Sequence, residues 1–305
     1  MDKIIITTGD PNGIGAEITM KALKALNLPK EKIAIISNKK ILNYYGKLDK
    51  NYEIIEIPYT ENDIKAGQVT KEAGEFSFQS LKLACELKPK AIVTAPVAKN
   101  ALHLAGHNFN GQTEVLQHFL AHDNQLAEML FVANGFRVLL LTRHCALKEI
   151  TLTQDVVVTK IKNLVKTFQK QFGINNPKFA LCGFNPHSGE DGILGREEID
   201  ILIPAVQELQ NAGIDITMPL PADTLFVDAA KNYLKNTKDK YDCYIANYHD
   251  QGLIPIKTVA GENTVNMTIG LDIVRTSPGH GTAFDIAGKN IASPNGMIAA
   301  IKEVL

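Results

Sequence analysis

The sequence predicts an α/β protein with a largely parallel sheet. Strand-like apolar runs alternate with helix-like amphipathic runs through most of the 305 residues, and this alternation is typical of a parallel sheet covered by helices. The first run, at 4–8, leads directly into a glycine-containing turn and then a helix at 16–26. The second observation is that three later apolar runs each end just before a histidine.

The other elements follow in chain order. A run of Asn134-Gly135 between two apolar stretches is typical of a tight hairpin turn. The patterns predict a strand at 33–37, helices at 40–48 and 70–86, a strand at 91–95, a helix at 114–122, hairpin strands at 129–132 and 137–142, a helix at 154–172, a strand at 179–183, a helix at 197–212, a loop at 218–223, a helix at 224–233, a strand at 244–247 and a helix at 294–305.

Composition excludes several classes of protein. The formal net charge of -1 gives no electrostatic reason to bind nucleic acid or an anionic membrane. No stretch has the length of a membrane span, and the amino terminus lacks a signal-peptide core. The four cysteines are widely scattered, so we expect buried free thiols rather than a disulfide framework. These features predict a cytoplasmic protein.

Three histidines lie just past buried strand-like runs. His144 follows the run at 138–142, His187 follows 179–183 and His249 follows 244–247. Because side chains beyond the carboxyl ends of parallel strands converge on one crevice, the three could meet in space. Three imidazoles with an open fourth position are the ligand set of a catalytic zinc or a similar divalent ion.

Other motifs carry less information. The turn at 9–15 could cradle a phosphate, although a plain strand-to-helix turn explains it equally well. The pairs His103/His107 and His118/His122 have metal-type spacing but lack the Glu of a metalloprotease helix, so packing or surface roles are the better interpretation.

Three polar residues flank the third histidine segment and could clamp a phosphate or carboxylate. They are Lys257, Asn266 and Arg275. Spacing alone favours solvated charges instead. The segment 277–290 would suit a nucleotide lying against backbone N–H groups.

Ordered blocks across nearly the whole chain resemble the 4-hydroxythreonine-4-phosphate dehydrogenase family of vitamin B6 biosynthesis. The most specific are NPHSGE and YHDQGL, and GDPNGIGAE and HGTAFDIAGK also resemble isocitrate and isopropylmalate dehydrogenases. The blocks are TTGDPNGIGAEI, TAPVAKNAL, GQTEVL, LLLTRHCALKEI, GFNPHSGEDGILGREE, LPADTLF, YDCYIANYHDQGLIPIK and VNMTIGLDIVRTSPGHGTAFDIAGKN.

The resemblance implies two α/β/α domains with an interdomain cleft, an isocitrate/isopropylmalate dehydrogenase-like fold and a homodimer with a shared active site. Residues 1–115 with 247–305 would form one domain, and 116–246 the other. By analogy, the implied metal ligands, for Zn, Mg or Co, are His144, His187 and His249, drawn from both subunits. The implied substrate-binding residues are Gln112, Thr113, Lys257, Asn266 and Arg275. The implied residues for NAD or NADP are His280, Gly281, Thr282, Ala283 and Asp285.

The implied reaction is metal-assisted oxidation of 4-phosphohydroxy-L-threonine to a 3-oxo acid, which loses CO2 to give 3-amino-2-oxopropyl phosphate. Asp250 and Lys99 are candidates to take the hydroxyl proton. Gln112 stands where the family usually has histidine, and Gln cannot titrate near neutrality. Related branches that oxidise threonate or erythronate 4-phosphate therefore stay open. A three-histidine metal hydrolase and a non-catalytic phosphosugar-binding protein stay open as well.

Overall fold

The computed structural model describes residues 2–122 and 125–305 and divides them into two compact units. The first unit comprises Met1–Ala127 and Val265–Leu305, and the second comprises Glu128–Thr264. The division falls later in the chain than the boundaries predicted at 115/116 and 246/247. The reason is packing: a helix at Gln112–Leu120 contacts another first-unit helix, and a helix at His249–Ala260 packs on strands of the second unit.

Among the described residues of the first unit, six strands form the sheet, in the order β3-β2-β1-β4-β11-β10. Strands β1 to β4 and β11 run parallel, and β10 is antiparallel to β11. Their bounds are β1 Ile4–Thr7, β2 Ile33–Ser37, β3 Glu53–Glu56, β4 Ala91–Thr94, β10 Val265–Ile269 and β11 Val274–Pro278. The strands β10 and β11 were absent from the sequence prediction, and they carry two of the predicted site residues.

Helices cover both faces of this sheet. They are α1 Gly15–Leu26, α2 Lys39–Tyr45, α3 Lys71–Glu86, α4 Lys99–Leu104, α5 Gln112–Leu120 and α10 Asn295–Lys302. Alternation along the strands decides the two cores. Ile5 and Ile92 pack with Phe76 of α3 and Leu116 of α5. Their strand neighbours, which point to the opposite face, pack with residues of α1 and α10.

The second unit has five strands in the order β5-β6-β9-β7-β8. They are β5 Glu128–Ala133, β6 Phe136–Leu140, β7 Lys178–Leu181, β8 Asp215–Ile216 and β9 Cys243–Ala246. The predicted hairpin is confirmed: β5 and β6 are antiparallel, and Asn134 and Gly135 both have positive φ. Strands β6, β9 and β7 are parallel neighbours, so the three runs that precede the histidines end at one edge.

The helices of the second unit are α6 Gln154–Gln171, α7 Ile203–Asn211, α8 Ala222–Lys235 and α9 His249–Ala260. A π-helical turn at Glu198–Leu202 precedes α7, where the sequence predicted one continuous helix from 197. Helix α9 packs closely on the sheet because Gly252 has no side chain: a Cβ there would lie 2.6 Å from Leu140 Cδ2. No helix of the described residues is long and apolar enough to cross a membrane.

Candidate active site

A buried arginine lies on a central strand of the first unit. Arg275, on β11, is only 3% exposed, so its spacing-based interpretation as a solvated charge is wrong: its guanidinium lies against the buried hydroxyls of Thr94 and Thr268, on the neighbouring strands β4 and β10. Its Nε donates to Thr94 Oγ1 over 2.8 Å, and a second nitrogen donates to Thr268 Oγ1. Burial lowers the pKa of Arg275 to about 9. Within the described ranges no carboxylate forms an ion pair with it, but the nearby charge of Glu114 acts against this lowering.

Unsatisfied acceptors occur in the same unit as this cation. Gln112, the first residue of α5, donates from Nε2 to the carbonyl of Ala95, one residue beyond β4. Its Oε1 is buried and has no hydrogen-bond partner among the described residues, and the same is true of Asn266 Oδ1 on β10. Thr113, beside Gln112, is buried. Buried acceptors without donors are costly unless a ligand supplies the donors.

The β1–α1 turn holds the segment after β4. Asp10 is fully buried; its backbone N–H donates to the Pro96 carbonyl, and its carboxylate accepts from the N–H of Asn12 and hydrogen-bonds to the backbone of Ala98. Desolvation raises the pKa of Asp10 to about 6. Lys99, exposed, begins α4 directly after this anchored segment. Sequence reasoning missed Asp10, because nothing in the motif indicates that its side chain turns inward.

The same turn contacts the segment predicted to bind the nucleotide. The N–H of Ile14 donates to the Thr282 carbonyl over 3.1 Å, and a Cβ at Gly13 would touch Thr282. Ala283 has φ of 44° and accepts from Ile286. The predicted cofactor residues therefore form a compact turn docked on the start of α1. They are His280, Gly281, Thr282, Ala283 and Asp285.

In the second unit, side-chain hydrogen bonds connect the ends of three strands. Thr142, two residues past β6, donates from Oγ1 to the Asn247 carbonyl over 2.7 Å. Asn247 Nδ2 donates to the Cys182 carbonyl over 2.9 Å, and Gln251 Nε2 donates to the Gly183 carbonyl over 2.7 Å. These bonds link the segments that follow β6, β9 and β7. They therefore fix the distances between the chain segments that carry the three histidines.

Two of the predicted metal ligands lie together. The ring centroids of His144 and His249 are 5.6 Å apart, with the planes inclined by 48°. Two imidazoles on one tetrahedral ion, with bonds of about 2.0–2.1 Å, place their centroids roughly 5 Å apart. His249 Nδ1–H also donates to Asp250 Oδ1 over 2.7 Å, which leaves Nε2 for a ligand, as in carboxylate–histidine–metal arrangements. The pair fits a divalent ion.

The third histidine follows strand β7. His187 lies in the turn Pro186–Gly192 with φ of 51° and an exposed side chain. The described residues contain no group of three His, Cys, Asp or Glu side chains that could hold a metal ion. Within them, His187 therefore does not complete a three-residue metal group with His144 and His249.

The other predicted residues are placed as follows. Lys257 is exposed in the last turn of α9, eight residues after His249. His107 stacks on Phe78 with centroids 3.6 Å apart and hydrogen-bonds to Glu75, which is a packing role as predicted. Three cysteines are buried free thiols, but Cys145 is exposed. The expectation of burial was wrong there because Cys145 lies in the loop after β6 and not in a strand.

Comparison with known proteins identifies the family. The model of the family described as pyridoxal phosphate biosynthetic protein PdxA matches residues 3–304. A 4-hydroxythreonine-4-phosphate dehydrogenase of Synechocystis sp. is 40% identical, over 99% of this chain and 94% of that protein. A D-threonate 4-phosphate dehydrogenase of Salmonella typhimurium is 37% identical, over 98% of this chain and 97% of that protein.

Solved structures agree with the predicted fold. The 4-hydroxythreonine-4-phosphate dehydrogenase of Klebsiella pneumoniae superposes with a TM-score of 0.85 at 33% identity, covering 100% of this chain and 98% of that one. An isocitrate dehydrogenase of Methylococcus capsulatus has a TM-score of 0.51 at 14% identity, covering 99% and 85%, which confirms the dehydrogenase-like fold alone. The chain thus belongs to the pyridoxal phosphate biosynthetic protein PdxA family of oxidoreductases.

Proposed function

We propose that this chain oxidises 4-phosphohydroxy-L-threonine to its 3-oxo acid with NAD or NADP, for pyridoxal 5′-phosphate biosynthesis. The observation that carries the proposal is the buried Arg275, whose described hydrogen bonds go to threonine hydroxyls, in one unit with the unsatisfied oxygens of Gln112 and Asn266. A phosphorylated amino or hydroxy acid offers an anion for the first and N–H or O–H donors for the others. The 3-oxo acid then loses CO2 to give 3-amino-2-oxopropyl phosphate.

The substrate residues have separable roles in this proposal. Arg275 binds the phosphate through its planar guanidinium, and Thr113 and Lys257 add a hydroxyl and an ammonium donor. Gln112 and Asn266 accept hydrogen bonds from the carbon chain of the substrate. Together they hold the reacting carbon in one orientation.

His144, His187 and His249 would hold a divalent ion (Zn, Mg or Co), with ligands drawn from both subunits of a homodimer. Bound there, the ion would acidify the secondary hydroxyl of the substrate and polarise the carbonyl that replaces it. Asp250 keeps His249 oriented through Nδ1. Lys99 Nζ and the Asp250 carboxylate are the two candidates to take the hydroxyl proton.

The turn formed by His280, Gly281, Thr282, Ala283 and Asp285 would bind the nucleotide, which supplies the hydride acceptor when bound. Its backbone is fixed by the bond from Ile14 to Thr282, so the amides of the turn are pre-oriented. Asp285 is exposed and offers a carboxylate to ribose hydroxyls. The enzyme so described would be cytoplasmic.

A second candidate substrate is threonate 4-phosphate, with erythronate 4-phosphate beside it. Two observations favour it: Gln112 replaces the usual histidine of the family, and a relative named D-threonate 4-phosphate dehydrogenase is 37% identical.

One assay distinguishes these possibilities. Chelator-treated protein would be supplied with Zn²⁺, Mg²⁺ or Co²⁺, and NADH or NADPH formation would be followed with each of the three phosphorylated acids. We expect metal-dependent reduction, fastest with 4-phosphohydroxy-L-threonine. Reduction only with threonate 4-phosphate would move the chain to the other branch, and no reduction with any substrate would refute a dehydrogenase. A His144→Ala variant with full metal-dependent activity would refute the ligand assignment.

A further inference from the structure

The turn that carries His187 has an uncommon backbone conformation. Five consecutive residues, from His187 to Asp191, have φ between 42° and 83°. Four of the five are not glycine, and L-residues visit this left-handed region as single residues rather than in runs. Such a conformation persists only where the surrounding structure enforces it, and it concentrates at functional sites.

A buried glutamate enforces the conformation of this turn. Glu198 is 2% exposed. Its Oε1 accepts from the backbone N–H of Asn185 over 2.7 Å, and its Oε2 accepts from Asn185 Nδ2 over 2.9 Å. Asn185 is the residue that precedes the turn, so both bonds fix the direction in which the chain enters it.

The same carboxylate also fills the inner side of the turn. A Cβ on Gly189, whose φ is 83°, would lie 2.8 Å from Glu198 Oε2 and 3.0 Å from the Gly195 carbonyl. Glu198 opens the π-helical turn Glu198–Leu202, and π-turns inside helices are frequent at functional sites. The turn and the carboxylate are therefore packed without space between them.

We propose that Glu198 is a positioning residue for His187. It accepts from the backbone N–H and from Nδ2 of Asn185, whose Nδ2 also donates to Glu197 Oε2 over 2.6 Å, and it packs against Gly189. In this way it keeps the turn left-handed with the imidazole presented outward. This inference rests on the proposed function, in which His187 is a metal ligand. Neither Glu198 nor Asn185 needs to touch the metal for the effect.

Metal affinity tests the proposal without recourse to turnover. The full-length chain would be stripped with a chelator and titrated with Co²⁺, with the dissociation constant and the visible Co²⁺ absorption as readouts. The side chain of Gln has one acceptor oxygen where that of Glu has two. In Glu198→Gln, one of the two hydrogen bonds from Asn185 is therefore lost, because its donor faces an NH2 group. We expect affinity about 10- to 100-fold weaker, as when outer partners of metal ligands are changed, and an altered Co²⁺ spectrum.

A double variant separates positioning from general damage. If Glu198 acts through His187, then Glu198→Gln weakens binding in the wild type but adds no further loss to His187→Ala. Additive losses in the double variant would overturn the proposal, and so would a Glu198→Gln affinity within about twofold of wild type while His187→Ala binds weakly. If His187→Ala binds Co²⁺ as tightly as wild type, the ligand assignment in the proposed function fails, and this inference fails with it.

A matched pair of glycine variants covers the case in which Glu198→Gln does not fold. Gly189→Ala and Gly213→Ala both place a side chain at nearly the same φ, 83° and 82°, but only the first would contact Glu198, since nothing lies within 4 Å of a Cβ at Gly213. We expect weaker Co²⁺ binding, about tenfold, in Gly189→Ala only. Equal affinities in the two variants would contradict the role of the turn.

Discussion

The two units present their candidate ligand-binding groups in opposite ways. In the first unit, Arg275 is buried and its described hydrogen bonds go to two threonine hydroxyls, while the buried oxygens of Gln112 and Asn266 have no partner among the described residues. In the second unit, His144 and His187 are exposed on segments after strand ends, and the imidazole of His249, beside His144, hydrogen-bonds to Asp250. Burying polar groups without partners in the first unit lowers the free energy of unfolding, and a ligand that supplies the partners restores it. Exposed imidazoles in the second unit lower it little, and their ligand binding depends on the residues that orient them.

The largest expected effect comes from Arg275→Met. If Arg275 binds the substrate phosphate as proposed, losing its desolvated guanidinium should lower kcat/KM about 100- to 1,000-fold. Stability should stay the same or rise, because the variant removes a buried cation whose desolvation is offset only by two threonine hydroxyls and the nearby charge of Glu114. Steady-state kinetics and thermal unfolding measure the two effects.

Arg137→Met is the matched control in the second unit. The guanidinium of Arg137 packs over Phe172, 4.7 Å from the ring centroid, so its loss should lower stability by about 1 kcal/mol and leave KM unchanged. If Arg275→Met were strongly destabilising and bound substrate normally, Arg275 would be a structural residue and the contrast between the units would fail.

The next effect concerns Asp10, whose pKa is raised by burial from 3.8 to about 6. The folded state holds this proton more tightly than the unfolded chain, so the contribution of Asp10 to stability falls as pH rises from about 4 to 6 and is constant above. Relative to Asp10→Asn, the wild type should lose about 3 kcal/mol over that range.

Urea unfolding of both proteins at pH 4 and pH 7.5 measures this change. Asp215→Asn, at an exposed position on β8, is the control and should show no such trend. A difference between wild type and Asp10→Asn that is independent of pH would mean that the Asp10 carboxyl is solvated.

A smaller effect is expected at Asp250, whose carboxylate accepts from His249 Nδ1–H while 71% of its own side chain is exposed. Asp250→Ala should weaken Co²⁺ binding about tenfold, because His249 loses the acceptor that orients it. Asp228→Ala, an exposed aspartate of α8 that pairs with Lys231, serves as the control. Unchanged affinity in Asp250→Ala would show that the imidazoles need no oriented support.

The sequence predicted the features that local pattern decides. The strands before His144, His187 and His249 were recognisable as apolar runs, and their parallel alignment followed from the alternation with helices. The turn at Asn134 and Gly135 was equally local. Each of these depends on side-chain types within a few residues of one another.

Features that depend on distant partners were missed. The left-handed turn at His187 is held by Glu198, eleven residues later, and nothing in the letters of the turn shows the contact. Arg275 was interpreted as a solvated charge because its burial depends on contacts with Thr94 and Thr268, which lie on other strands. The absence of a three-residue metal group among the described residues is equally a property of the folded chain.

The smallest expected effect concerns Gln112, a residue of the first unit whose buried side-chain oxygen we expect to influence substrate choice. Its orientation is chemically fixed, since the Ala95 carbonyl can only accept and must face Nε2, so Oε1 is the atom left for a ligand. Gln112→His replaces a fixed acceptor with a ring that donates or accepts according to tautomer and protonation.

For Gln112→His we expect a change of about tenfold or less in the ratio of kcat/KM between 4-phosphohydroxy-L-threonine and threonate 4-phosphate. We also expect a new dependence of that ratio on pH near the ordinary pKa of histidine, about 6.5. Gln79→His, on α3, is the control, because the amide of Gln79 donates to Glu75 of the same helix. If the ratio is unchanged at every pH, Gln112 Oε1 receives no donor from the substrate, and the unsatisfied oxygen belongs to the fold rather than to the site.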